Sequence, residues 1–210
     1  MEKGLTNKRG SIVVNVFIIG LIIFTLMISA VTLVANDYQR VASSSHSIKA
    51  YFLAESAMEE AYHEILILVD DVVVEYLEDL KEYKMDFINK MKEEEVHPNE
   101  YQPPQLGDYL QDRMLVNLAF YNKIVENPFH NYSPYHYYKR SFTYDSNHNT
   151  IVIEVVGVYN QARKFIRGEA RLPIAYNKVK DRYNLPQVEV VSLEMISSYQ
   201  TYGGYEDTSK

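Results

Sequence analysis

SIVVNVFIIGLIIFTLMISAVTLVAN, residues 11–36, carries no charged side chain, and the architecture follows from that run. Its core, residues 12–35, is 24 residues long. A helix needs roughly 20 predominantly apolar residues to cross the hydrocarbon layer of a bilayer, so this one spans with some tilt. Ahead of it, MEKGLTNKRG places Lys3, Lys8 and Arg9 against a lone Glu2. Positive flanks stay on the cytoplasmic side, which predicts an inward N-terminus and everything after Asp37 outside. A secretory signal has a core of about 7–15 apolar residues and a small-x-small cleavage site. The run is longer than that, and cuts after Ala30 or Ala35 would put Ile28 or Leu33 at the −3 position.

Beyond the span, helical patterning continues through residues 36–65, and no proline occurs before Pro98. Val41, Ile48, Phe52, Met58, Tyr62 and Ile65 recur close to helical spacing and predict an inward stripe. Such a face must be covered, and a sheet is the usual cover. A second amphipathic pattern, residues 67–92, carries Val69, Val73, Tyr76, Leu80, Tyr83, Phe87 and Met91 on one side. It either continues the first helix or turns back on it, with Asp70-Asp71 as the expected break. The acidic run Glu93-Glu94-Glu95 reads as a solvated helix end, closed by His97-Pro98. After Pro103-Pro104, Asp108 suits the cap of a third helix over residues 109–126, with Leu110, Met114, Leu118, Tyr121 and Val125 inward.

Residues 128–138, PFHNYSPYHYY, are too rich in proline for regular structure and read as an aromatic loop over a sheet. His130 and His136 without acidic neighbours make a poor metal pair. Strands are expected at 139–144, 150–159 and 163–172, the first two joined by the turn-rich residues 145–149. The middle strand is apolar on both faces except Glu154 and should be central. In the third, Ile166, Gly168, Ala170 and Leu172 point one way, while Arg163, Arg167, Glu169 and Arg171 point the other. Residues 187–195 suggest a further edge strand, and residues 197–210 lack periodicity and read as a flexible tail. The fold class is α+β: a long N-terminal hydrophobic helix packed on a small antiparallel sheet, with a helical segment between them. The expected layout is a leader at 1–10, a transmembrane half-helix at 11–36 and an amphipathic half-helix at 37–66. A helical and loop insertion follows at 67–138, then a sheet region at 139–196 and a tail at 197–210.

The formal net charge of −7 speaks against nucleic acid as a partner, since phosphate binding needs a basic footprint. The absence of cysteine removes thiol catalysis, cysteine-based zinc sites and disulfides. No nucleophile elbow, phosphate loop, zincin helix or dinucleotide fingerprint occurs, so no catalytic residue, metal or cofactor is expected.

Lys8-Arg9-Gly10-Ser11 directly before the apolar run resembles the site cut by prepilin peptidase. Some forty residues on, Ala50-Tyr51-Phe52-Leu53-Ala54-Glu55-Ser56-Ala57-Met58-Glu59 is similar to the segment that PilX-type minor pilins and tip pseudopilins carry there. Together these cover residues 8–65. The resemblance implies a type IV pilin-like subunit, cut between Gly10 and Ser11, that assembles with other pilin subunits through its N-terminal helix. It also implies an extracytoplasmic head and a cell-surface filament. In that family, major pilins carry a glutamate at the fifth mature residue, which pairs with a neighbour's terminal amine; here the position is Asn15. An amide is cheaper to hold in a bilayer than a carboxylate but forgoes that pairing, which implies a tip or initiating subunit. The alternatives are a single-pass membrane-anchored binding or adhesion module, and an uncleaved anchor of an envelope complex.

Overall fold

The computed structural model describes residues 5–93 and 96–202, with side chains from residue 12 onward. The chain divides into two compact units, Met1–His46 and Ser47–Lys210. The first unit is helical throughout its described length. It is the N-terminal part of α1, which spans Leu5–Lys92.

The second unit combines the rest of α1 with α2 (Leu106–Arg113), a 3₁₀ helix (Leu115–Tyr121) and seven strands. The strands are β1 (Lys123–Glu126), β2 (His136–Asp145), β3 (Thr150–Tyr159), β4 (Ala162–Arg171), β5 (Ile174–Lys180), β6 (Pro186–Val191) and β7 (Glu194–Thr201). Five form an antiparallel sheet in the order β1-β2-β3-β4-β7, while β5 and β6 form a separate two-stranded ribbon. As expected, β3 is central, and only Glu154 on it escapes full burial. On β4, Ile166, Gly168 and Ala170 are buried and face α1's side of the sheet.

Helix meets sheet through small residues. Ala50, Ala54, Ala57 and Ala61 follow one another at steps of four, three and four, and all are fully buried. On β3, Gly157 lies so close that a Cβ there would fall 2.2 Å from the Ala50 carbonyl oxygen and 2.5 Å from the Ala54 nitrogen. Only glycine permits that approach. This corrects the expected stripe: Met58 and Ile65 are buried as foreseen, but Val41, Ile48 and Phe52 are exposed. Hydropathy favoured the large side chains, whereas close approach of backbone to backbone favours alanine.

Asp70-Asp71 does not break α1. Both aspartates are exposed, between Val69 and Val72, which are buried in the core. An exposed Asp inside a helix costs only tenths of a kcal/mol, less than unpacking those valines would. The second amphipathic stripe therefore continues the first helix, with Val69, Tyr76, Leu80 and Phe87 buried.

The expected third helix is shorter than its stripe. Leu110, Met114 and Leu118 are buried, but α2 ends at Arg113, and residues 123–126 form β1 against β2. Lys-Ile-Val-Glu centres on two β-branched residues, Ile124 and Val125, which suit a strand better than a helix end. The expected edge strand at 187–195 is also corrected: β6 pairs with β5 in the ribbon, and β7 forms the edge of the main sheet on β4. Residues 197–201 of the expected tail belong to β7; residues 203–210 lie outside the described residues. The ribbon turns at residues 181–185, where the Asp181 carboxylate accepts hydrogen bonds from the Tyr183 and Leu185 N–H groups. Asn184 takes the left-handed conformation there (φ 66°), which asparagine tolerates well.

Candidate functional site

Three residues were singled out from the sequence: Gly10, Ser11 and Asn15. The backbone of Gly10 and Ser11 lies within α1, while the Ser11 side chain, and residues 1–4 of the leader, lie outside the described residues. Asn15 is exposed, as is every side chain from residue 12 to 41. Ile18 and Ile23 are each 49% exposed, and Phe17 and Val31 70%. An apolar surface so continuous far exceeds the few hundred Å² that a water-soluble monomer presents. By length and composition, α1 is able to cross a membrane near its N-terminus.

Hydrocarbon requires each polar group to find a partner within the segment or on a neighbour. The Thr25 hydroxyl donates to the Leu21 carbonyl at 2.8 Å, Ser29 to Thr25 at 2.9 Å, and Thr32 to Ile28 at 2.9 Å. Each is satisfied by its own helix one turn back. The side-chain amides of Asn15 and Asn36 make no such bond among the described residues.

In the second unit the charged residues build an internal clamp. Glu60 and Glu64 are one turn apart on α1 and face β2. Arg140, only 2% exposed, reaches both: Nη2 bonds the Glu64 carboxylate, and Nη1 stands 3.5 Å from Glu60. The Tyr138 hydroxyl donates to Glu60, and Lys123 of β1 stands 3.4 Å from it. Burial alone would raise the Glu60 pKa. The bond from Tyr138 and the charges of Arg140 and Lys123 outweigh it and hold the carboxyl below its usual range. Burial and the Glu60 contact push the Tyr138 phenol up. The clamp was missed in the sequence, although its signal is there: Arg140 has the inward parity of Tyr138 and Phe142.

Residues 136–138 of the expected aromatic loop belong to β2, while Phe129 and Tyr132 ahead of them pack over the sheet as expected. Phe129 and Tyr132 cover Ala50, Leu53 and Tyr159, whose hydroxyl donates to the Ser133 carbonyl at 2.6 Å. The Lys49 ammonium sits 4.7 Å from the Tyr159 ring centre and 5.3 Å from that of Tyr132. His136 is buried with both ring nitrogens engaged: Nε2 accepts from the Phe129 N–H, and Nδ1 donates to the Pro134 carbonyl. That fixes one neutral tautomer and leaves no lone pair for a metal. Among the described residues, no three His, Asp or Glu side chains converge as a metal site. A groove of about 620 Å³ beside α2, lined by Tyr76, Gln102, Pro103, Leu106, Pro173 and Val188 among others, contains no acid, base or histidine.

Comparison with family profiles, with curated proteins and with solved structures finds no match to this chain in any of the three.

Proposed function

We propose that the chain is a minor pilin or pseudopilin, a structural subunit of a type IV pilus-like or type II secretion-like filament, and performs no catalysis. The reading is carried by the continuous exposed apolar surface over residues 12–35, directly preceded by Lys8-Arg9-Gly10-Ser11. Support comes from the Ala50 to Ala57 segment, whose alanines mount α1 on an antiparallel sheet. In this reading the basic leader holds the N-terminus in the cytoplasm, prepilin peptidase removes it, and the second unit is extracytoplasmic. Mature subunits join other pilins through the apolar helix. Asn15, lacking a carboxylate, suits a tip or initiating position.

N-terminal sequencing after co-expression with a prepilin peptidase tests it. The mature protein is expected to begin at Ser11, and Gly10→Arg to block processing. An intact Met1 terminus in peptidase-positive membranes would defeat the pilin reading and leave a single-pass anchored binding module.

A further inference from the structure

We infer that the chain pairs with a second copy of itself inside the bilayer, through a polar seam along the apolar part of α1. The inference rests on the membrane-spanning reading of residues 12–35 and is independent of leader cleavage. Between residues 12 and 36 the polar side chains are Asn15, Thr25, Ser29, Thr32 and Asn36. Together with Ile18 and Ile22 they occupy every place in the series 15, 18, 22, 25, 29, 32, 36. Those alternating steps of three and four define one face of a helix. The opposite face carries Val16, Ile23, Met27 and Val34. A lone helix surrounded by lipid gains nothing from sorting its polar groups to one side; a helix facing a partner does.

The chemistry of the seam selects the partner. Thr25, Ser29 and Thr32 have donated their hydroxyl protons to their own backbone, so they offer small, satisfied surfaces that let helices approach closely. Among the described residues Asn15 and Asn36 make no side-chain hydrogen bond, and each amide is both donor and acceptor. Copies of one single-pass chain share flanking charges and therefore cross the membrane in the same direction. Their seams then meet at equal depth, Asn15 opposite Asn15, and an amide pair is complementary to itself. The seam is uncharged, so self-pairing brings no like charges together.

The chain contains no cysteine, which allows single-cysteine cross-linking of the full-length protein in membranes. With a lipid-permeable oxidant, Ile18→Cys and Ile22→Cys are expected to form disulfide dimers, and Ile23→Cys and Met27→Cys to form few. Adding Asn15→Leu to Ile18→Cys should lower the dimer roughly 3- to 30-fold, the range of an interhelical hydrogen bond in lipid, while Asn15→Gln retains it. Equal yields on the two faces, cross-links only to other proteins, or no dimer from a chain that resists alkaline extraction would overturn the pairing alone. Release of the chain by alkaline extraction would instead sink the membrane reading and the pairing with it.

Discussion

Gly157 is the position where one added methyl has nowhere to go, because the atoms it would meet are helix backbone and the Leu53 Cβ, 2.9 Å away. Gly157→Ala is expected to cost about 1–3 kcal/mol and lower the melting temperature by roughly 3–10 °C, followed by circular dichroism. An unchanged melting point would mean that α1 does not rest on β3 there. Arg140 makes a second residue-scale prediction. Removing Glu64 strands most of a buried guanidinium, whereas Arg140→Met leaves two half-exposed carboxylates that water can reach. Glu64→Ala is therefore expected to destabilise by about 2–4 kcal/mol in urea unfolding, and Arg140→Met by less. The same cluster sets a pH dependence. Glu60 has a depressed folded pKa, so its contribution is present above its unfolded value near 4.5 and is lost as pH falls through the lower folded value. Acid unfolding of Glu60→Gln should show a shallower slope below about pH 4.5 than the parent chain.

At the scale of elements, α1 owes its packing face to alanines and its continuity to buried valines. Ala57→Leu puts a large side chain into a fully buried site and is expected to loosen helix from sheet, costing about 1–3 kcal/mol. Phe52→Ser, on the exposed face, should leave thermal stability of the second unit nearly unchanged. The ribbon is tied to α1 by Lys84, which bridges to Asp181 at 2.8 Å and donates to the Pro186 carbonyl at 3.0 Å. Lys84→Met should speed amide exchange at residues 181–185 while β2, β3 and β4 stay protected, read by hydrogen–deuterium exchange. Of the main sheet, β2, β3 and β4 were legible in their own few residues, whereas β1 lay inside the expected third helix and most of β7 in the expected tail. The ribbon was legible only in part: β6 alternates and lay almost wholly within the strand expected at 187–195, but β5 is mostly exposed, and the pairing of the two could not be read from either.

Over the whole molecule, residues 12–35 expose their apolar side chains while the second unit buries its own in a core. Residues 37–210, without the span, are expected to be soluble, folded and of mixed helix and strand content by circular dichroism. An unfolded spectrum would mean that the second unit depends on the anchor. The tip assignment from Asn15 belongs to this scale too. Labelled protein is expected at one end of each filament, and Asn15→Glu should leave assembly intact or weaken it by placing an unpaired acid in lipid. Label spread along the filament would make the chain a shaft subunit.

The apolar run, the central strand β3 and the inward parity of β4 were written locally, in runs and alternations that need no knowledge of the rest of the chain. Residues 12–35 are uncharged and mostly apolar whatever follows them, and β3 is apolar on both faces apart from Glu154. Tertiary structure decided which face of α1 turns inward, whether Asp70-Asp71 interrupts it, and where residues 174–201 go. Tyr138 and Arg140 meet Glu60 and Glu64 across 78 and 76 residues of chain. Gly157 meets Ala50 and Ala54 across more than a hundred. How closely two backbones approach depends on both partners at once, and the hydropathy of either segment alone does not contain it.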